Sequence, residues 1–311
     1  MGFMFWSFSF IYFFSFLLSV FCSSVYGFWF VLELNMFVFL GLVCLMGGFL
    51  SLESSMKYFI LQSFFSLIIL FSLILDFSFG FYIFIICLFG KLGGSVMFFW
   101  VPSVSFSLDF FSFYLLLGLQ KFLPFIFFNI FLFNFYGLGY LGFMIFNFIF
   151  SLVLGGYMGF VYVGNLRGVL VFSSLSHLGW LGFSLLLGVD FFLSYFMVYL
   201  LFLFILIYLS SIYGSFNLLE GGFIYFLVFF SFMGVPPFFM FWFKVFIFFS
   251  LFNLGLSLFL LVVLFLASIF SFFMYFKLFL SNFFSLSELG RKGVFWVVFI
   301  FNLLGLVLIF L

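Results

Sequence analysis

The sequence predicts an all-α, polytopic membrane protein of about eleven transmembrane helices, with inverted repeats and two broken helices, forming one domain over residues 1–311. Three observations predict it. First, 69% of the residues are hydrophobic and 5% are charged. A soluble globular chain carries about 25% charged residues, so this one cannot cover a water-facing surface. Second, apolar runs of about 20 residues follow one another to the C-terminus, which suits helices rather than the ~10-residue alternating strands of a barrel. Third, the few charges fall inside apolar runs, where roughly 2.5–3.5 kcal/mol opposes a lone ionised group even on insertion scales.

The spans are taken in order. The first, near residues 3–22, lacks the basic n-region and small-residue cleavage site of a signal peptide, and is read as a retained helix. The second, 25–47, carries Glu33 about a third of the way in. The third, 54–76, opens at Lys57. The fourth, 79–100, is interrupted at Lys91-Leu-Gly93-Gly94-Ser95, and the fifth, 106–134, opens at Asp109, a capping or interfacial carboxylate, and carries Lys121. The sixth is 136–160. The seventh, 166–188, carries the only histidine, His177, and the eighth is 190–213. The ninth, 222–251, is interrupted at Gly234-Val-Pro236-Pro237, with Lys244 beyond. The tenth and eleventh are 255–280 and 293–311, separated by the longest polar stretch, Ser285–Gly293.

With this count Lys57, Arg167, Lys277, Arg291 and Lys292 share one side of the membrane, and Asp76 and Asp190 share the other. The positive-inside rule then sets the N-terminus on the cytoplasmic or matrix side. The two interruptions lie five spans apart, and Glu33 and His177 are separated by the same offset. An odd offset inverts one repeat against the other, and paired broken helices in inverted repeats point to a transport site. Gly and Pro in mid-span free backbone groups that lipid cannot satisfy, so these segments face protein or water.

Composition also excludes functions. A net charge of +1 offers no basic surface for nucleic acid. Cys22, Cys44 and Cys87 form no CxxC and are read as small buried apolar residues. One histidine cannot form a bis-histidine haem site, and no dinucleotide-binding glycine motif follows a strand pattern. The chain is therefore expected to bind no cofactor and to carry no redox centre. Phe fills 74 of the 311 positions. Phe and Leu insert into lipid about equally well, so this bias is read as the codon usage of an organellar genome.

Four charged residues and the histidine are the candidate site. Lys91 lies about 13 Å from either end of a 22-residue helix, about twice the reach of a lysine stem, so it does not snorkel out. Lys121 and Lys244 fail the same test. Glu33 is either a protonated carboxyl bonded to a neighbouring helix or one member of a charge chain. His177 is either a satisfied core hydrogen-bonder or a proton relay. Burial favours the neutral forms of such groups and mutual pairing the charged ones. Three lysines against one glutamate cannot all be charged at once, which favours proton hopping over a static ion-pair girder. Glu33 and Lys91 are expected on facing helices within direct or single-water reach, in a polar slot shared with Lys121 and Lys244, with His177 beside it.

The ordered motifs then resemble a known family. They are Leu32-Glu33-Leu-Asn35-Met36, Met56-Lys57-Tyr-Phe59 with Gln62, Lys91-Leu92-Gly93 with Trp100-Val-Pro102, and Gln120-Lys121-x-x-Pro124. Leu166-Arg167, Ser173-Ser-x-x-His177-x-Gly-Trp180 and Gly234-Val-Pro236-Pro237 with Lys244 follow. This set resembles the chain 2 family of mitochondrial NADH–ubiquinone oxidoreductase, the antiporter-like, proton-translocating membrane subunits of respiratory complex I. The chain's length resembles the shortened animal form. The resemblance implies that Glu33 pairs with a pump lysine, Lys91, that Lys121 links two half-channels, and that Lys244 serves the second broken helix. It implies an enzyme only as a subunit, with FMN, iron–sulfur clusters and ubiquinone held by partner subunits. The partners it implies are other complex I membrane subunits, both neighbouring antiporter-like and small ones, together with membrane lipid. The location it implies is the mitochondrial inner membrane, with the N-terminus in the matrix. The chain departs from the family at Val96, Phe98 and Ser103, where a proline, a histidine and an acid are usual. The fourth-span break is therefore expected to rest on Gly93 and Gly94. Two other readings stay open: a stand-alone cation/proton antiporter and a structural membrane scaffold.

Overall fold

The fold is built from helices whose apolar length matches a bilayer core. The computed structural model describes residues 2–22, 24–75, 77–134, 138–162, 165–213, 222–236, 238–255 and 257–283. Among the described residues every regular element is helical, and eight helical stretches are long and apolar enough to cross a membrane. The eleventh sequence span, the Ser285–Gly293 stretch, Asp76, Arg291, Lys292 and Pro237 lie outside the described residues.

The chain divides into two compact units, Met1–Asn147 and Phe148–Leu311. The first holds α1 (Gly2–Phe21), α2 (Val25–Met46), α3 (Phe49–Ile74), α4 (Phe77–Leu92), α5 (Trp100–Ser105), α6 (Phe110–Leu117) and α7 (Phe122–Asn134). Consecutive helices α1, α2, α3 and α4 pack in sequence order. The Ser24 side chain accepts from the Gly27 amide at 3.1 Å and starts α2. Asp109 stands just before α6, but its side chain makes no capping bond. α3 begins five residues earlier than the sequence suggested, and its first turn carries an exposed Glu53–Lys57 pair at 2.6 Å. Of the three cysteines expected to be buried, Cys87 is buried, Cys22 is intermediate and Cys44 is exposed.

The second unit begins within α8 (Leu138–Val161) and continues with α9 (Leu166–Leu187), α10 (Val189–Tyr213), α11 (Gly222–Met233), α12 (Phe239–Asn253) and α13 (Leu258–Phe283). α9 is its core, buried on every side from Gly168 to Leu185. Its small residues make this possible. A Cβ on Gly155 of α8 would run into the α9 backbone at Ser176, and one on Gly182 of α9 into Phe148. Small residues at such points let helices approach closely in a medium where apolar association alone gives little. Ser173, Ser174, Ser176 and Ser184 each bond the carbonyl three residues back, so their hydroxyls are satisfied within the helix.

Both expected breaks are present, and they share one construction. α4 ends at Leu92, followed by Gly93 at φ +68°. The Gly93 amide bonds the Gly90 carbonyl at 3.1 Å and the Gly94 amide bonds Phe89 at 2.8 Å. α11 ends at Met233, followed by Gly234 at φ +73°. The Gly234 amide bonds Ser231 at 3.2 Å and the Val235 amide bonds Phe230 at 3.4 Å. In each case a left-handed glycine closes the paired bonds of a Schellman cap, inside an apolar stretch of sequence rather than at its end. Gly94 is extended rather than left-handed, and Ser95, at φ +47°, takes the second positive φ of that break. Pro236 follows the second break outside either helix. The structure adds a third interruption that the sequence reading missed. The fifth span parts at Gly118, and a 3-10 turn over Leu119–Lys121 joins α6 to α7.

Candidate functional site

In the first unit the site is assembled on the last turn of α4. Lys91 occupies that turn because the Gly93 break follows two residues later. Its ammonium donates to Glu33 Oε1 at 3.0 Å, with the two side chains 4% and 13% exposed. The pair joins α4 to α2 directly. Carbonyls at the end of α4 also accept from side chains. Gln62 Nε2 on α3 donates to the Lys91 carbonyl at 3.3 Å, and Trp100 Nε1 donates to the Gly90 carbonyl at 2.9 Å. The indole therefore folds the chain after the break back over its end. Gly93 could carry no side chain there, since a Cβ would run into Val101.

A cavity of about 30 Å³ lies beside this pair, with Lys91, Lys121, Asn35, Gln62, Gln120 and Tyr58 among its walls. That volume holds at least one water. Lys121 is 5% exposed and comes from the 3-10 turn that interrupts the fifth span. Asn35 Nδ2 donates to Gln120 Oε1 at 3.4 Å, which leaves Asn35 Oδ1 and Gln120 Nε2 buried with no protein partner.

In the second unit Lys244 and His177 occupy different surroundings. The Lys244 ammonium donates to the Met233 carbonyl at 2.6 Å, the last residue of α11 before the Gly234 break. It also stands 5.5 Å from the Trp180 ring centroid, an approach that favours a cation. His177 Nδ1 shares a hydrogen bond of 2.9 Å with Tyr195 Oη on α10, and its ring meets Phe232 edge-on at 4.2 Å. Phe232 lies next to Met233, so the histidine and the lysine approach the same end of α11 from α9 and α12.

The structure thus gathers Glu33, Lys91 and Lys121 in the first unit and His177 and Lys244 in the second. Asn35, Gln62, Gln120, Trp100 and Tyr195 had been given no role from the sequence. A signal was present, since a carboxamide within an apolar span needs a partner as much as a charge does, but it was read only for charges. Among the described residues no group of three His, Cys, Asp or Glu side chains is placed to hold a metal ion.

No family model matches the chain. Solved structures share its fold. It aligns with a chain of respiratory complex I from Thermus thermophilus with bound aureothin (TM-score 0.71, 16% identity, 90% of this chain and 70% of that one). It aligns with a chain of the Mrp complex from Dietzia sp. DQ12-45-1b (0.71, 17%, 85% and 57%). It also aligns with a chain of the membrane-bound sulfane sulfur reductase, an archaeal respiratory membrane complex (0.75, 15%, 91% and 67%). The chain spans between 57% and 70% of the length of these proteins. At such identities the likeness is one of fold. The chain is an all-α, multi-pass membrane protein whose fold is shared by chains of these three assemblies.

Proposed function

We propose that this chain is a proton-translocating membrane subunit of a respiratory complex I, of the chain 2 type, in a mitochondrial inner membrane. Protons move through Glu33, Lys91 and Lys121 in the first unit and through Lys244 with His177 in the second. Quinone reduction in partner subunits drives them. The observation that carries this reading is the buried Lys91–Glu33 pair at 3.0 Å on the last turn of a broken helix. A lysine there exchanges its proton with little cost in side-chain rearrangement. The carboxylate, the cavity and a second buried lysine are all at hand. The fold shared with complex I chains supports the reading, and so does the ordered set of motifs.

The test is a pair of substitutions at Lys91. Lys91→Met retains volume and suits an apolar setting, so the complex should assemble while proton pumping falls and electron transfer slows with it. Lys91→Arg should not rescue pumping, because a guanidinium does not release its proton. Pumping by the Arg variant at the wild-type rate would overturn the mechanism.

A stand-alone cation/proton antiporter is the second reading, since it would use the same buried charges to couple two solutes. Blue-native electrophoresis separates the two, since a stand-alone antiporter would not migrate with NADH dehydrogenase activity. A structural scaffold would tolerate methionine at every buried lysine with transport unchanged.

A further inference from the structure

We propose that the Asn35–Gln120 carboxamide pair positions the water through which a proton passes between Lys91 and Lys121. The inference rests on the proton-transfer reading above and assigns positioning residues to it. Four observations support it. Asn35 and Gln120 line the same cavity as both lysines. Asn35 is 2% exposed, in a span where a carboxamide is costly without partners. Each amide uses one half on the other, at 3.4 Å, and leaves its second half buried and without a protein partner. The cavity, at about 30 Å³, is large enough for a water.

The free halves are one acceptor, Asn35 Oδ1, and one donor, Gln120 Nε2. A water held between them has one O–H committed to Asn35 and one lone pair committed to Gln120. One lone pair and one O–H remain for the lysines. The transfer then balances. The Lys91 ammonium gives a proton to the water oxygen, the water gives a proton to the neutral Lys121 amine, and the water is regenerated. The reverse step is the same sequence run backwards. The amides exchange no proton. Gln62, which lines the same cavity, donates from Nε2 to the Lys91 carbonyl.

The competing account is a cross-link: Asn35 ties α2 to the Gln120 turn and nothing more. Replacing both partners of a hydrogen bond by apolar groups of similar size restores much of the stability that a single replacement loses. A cross-link therefore predicts that Asn35→Leu/Gln120→Met recovers both assembly and transport. The relay predicts recovery of assembly alone. The experiment introduces Asn35→Leu, Gln120→Met, the double variant and Lys121→Met into the chain within its assembled complex. It measures the amount of assembled complex and the initial rate of proton uptake into sealed vesicles.

The expected result is an assembled double variant whose proton uptake falls about ten- to a hundredfold, the scale of a misplaced reacting group. Wild-type uptake by the double variant, with uptake abolished in Lys121→Met, would overturn the amide relay and leave the proposed function standing. Wild-type uptake in both Lys91→Met and Lys121→Met would overturn the proposed function and the relay with it. Should the double variant fail to accumulate, Gln120→Met alone decides. Its volume is conserved, and wild-type uptake per assembled complex would equally overturn the relay.

Discussion

The two broken helices end in the same cap, yet their lysines stand on opposite sides of it. Lys91 precedes its break and reaches away to a carboxylate on α2. Lys244 follows its break and reaches back to the carbonyl of Met233, the residue at which α11 stops. The carbonyls at the α4 end are served instead by neutral donors, Gln62 and Trp100. The difference teaches how the cost of breaking a helix in a membrane is met. Lipid supplies no hydrogen bonds, so the freed carbonyls need partners. At the first break neutral side chains provide them, and the Lys91 ammonium is left to pair with Glu33. At the second break the lysine itself is the donor, since the Lys244 amine nitrogen bonds the Met233 carbonyl. The two lysines are thus alike in sequence setting and different in partner.

The largest effect that would sharpen this comparison is at the glycines. Gly93→Ala combines left-handed strain of about 1–2 kcal/mol with overpacking against Val101 of about 1–3 kcal/mol. Gly234→Ala carries the same strain, but its Cβ would lie 3.3 Å from its nearest neighbours, two of them the movable end of Lys244. The thermal midpoint of the solubilised assembly should fall further for Gly93→Ala. Equal falls would break the contrast between a tightly folded-back first break and a less crowded second one.

Next in size is the lysine of the second break. Lys244→Met leaves the buried Met233 carbonyl without its donor, a loss of about 1–3 kcal/mol. The yield of assembled complex should therefore fall more for Lys244→Met than for Lys91→Met, while Lys91→Met should harm transport at normal yield. Lys244→Gln, which keeps a donor, should recover part of the yield. A Lys244→Met variant that assembles fully would remove the capping role.

The smallest effect belongs to Trp100. Trp100→Phe retains the ring packing and removes the bond to the Gly90 carbonyl, which still accepts from the Gly93 amide. About 0.5–1.5 kcal/mol of stability should be lost, read as a small shift in thermal midpoint with transport near normal. A collapse of transport would show that the indole holds the α4 terminus in register for the Lys91–Glu33 pair.

Much of the architecture was legible in the sequence because a membrane leaves few choices. Apolar length set the helices, and Gly93 and Gly234 marked the breaks, since only glycine takes a left-handed cap without strain. The fifth-span interruption at Gly118 was missed. Pro124, in the first turn of α7, was a signal for it, but the continuous hydropathy of Phe110–Ile130 was read as one helix. Lys121 was marked as buried, but nothing in its neighbours disclosed that it sits on a 3-10 turn.

By itself the sequence determined the all-α, multi-pass membrane class, the approximate places of the long described helices and the residues too polar for lipid. These depend on local length and on transfer free energy, which are additive along a chain. Only the tertiary structure decided partnership. Glu33 and Lys91 are 58 residues apart and Asn35 and Gln120 are 85 apart. No local rule states that α2 would bring both Glu33 and Asn35 to the α4 terminus and the Gln120 turn. Likewise, the sequence placed a lysine near each break, and only packing decided which became the partner of an acid and which the cap of a helix. The physical reason is that a buried polar group is defined by what reaches it within about 3 Å, and that is set by how distant segments pack.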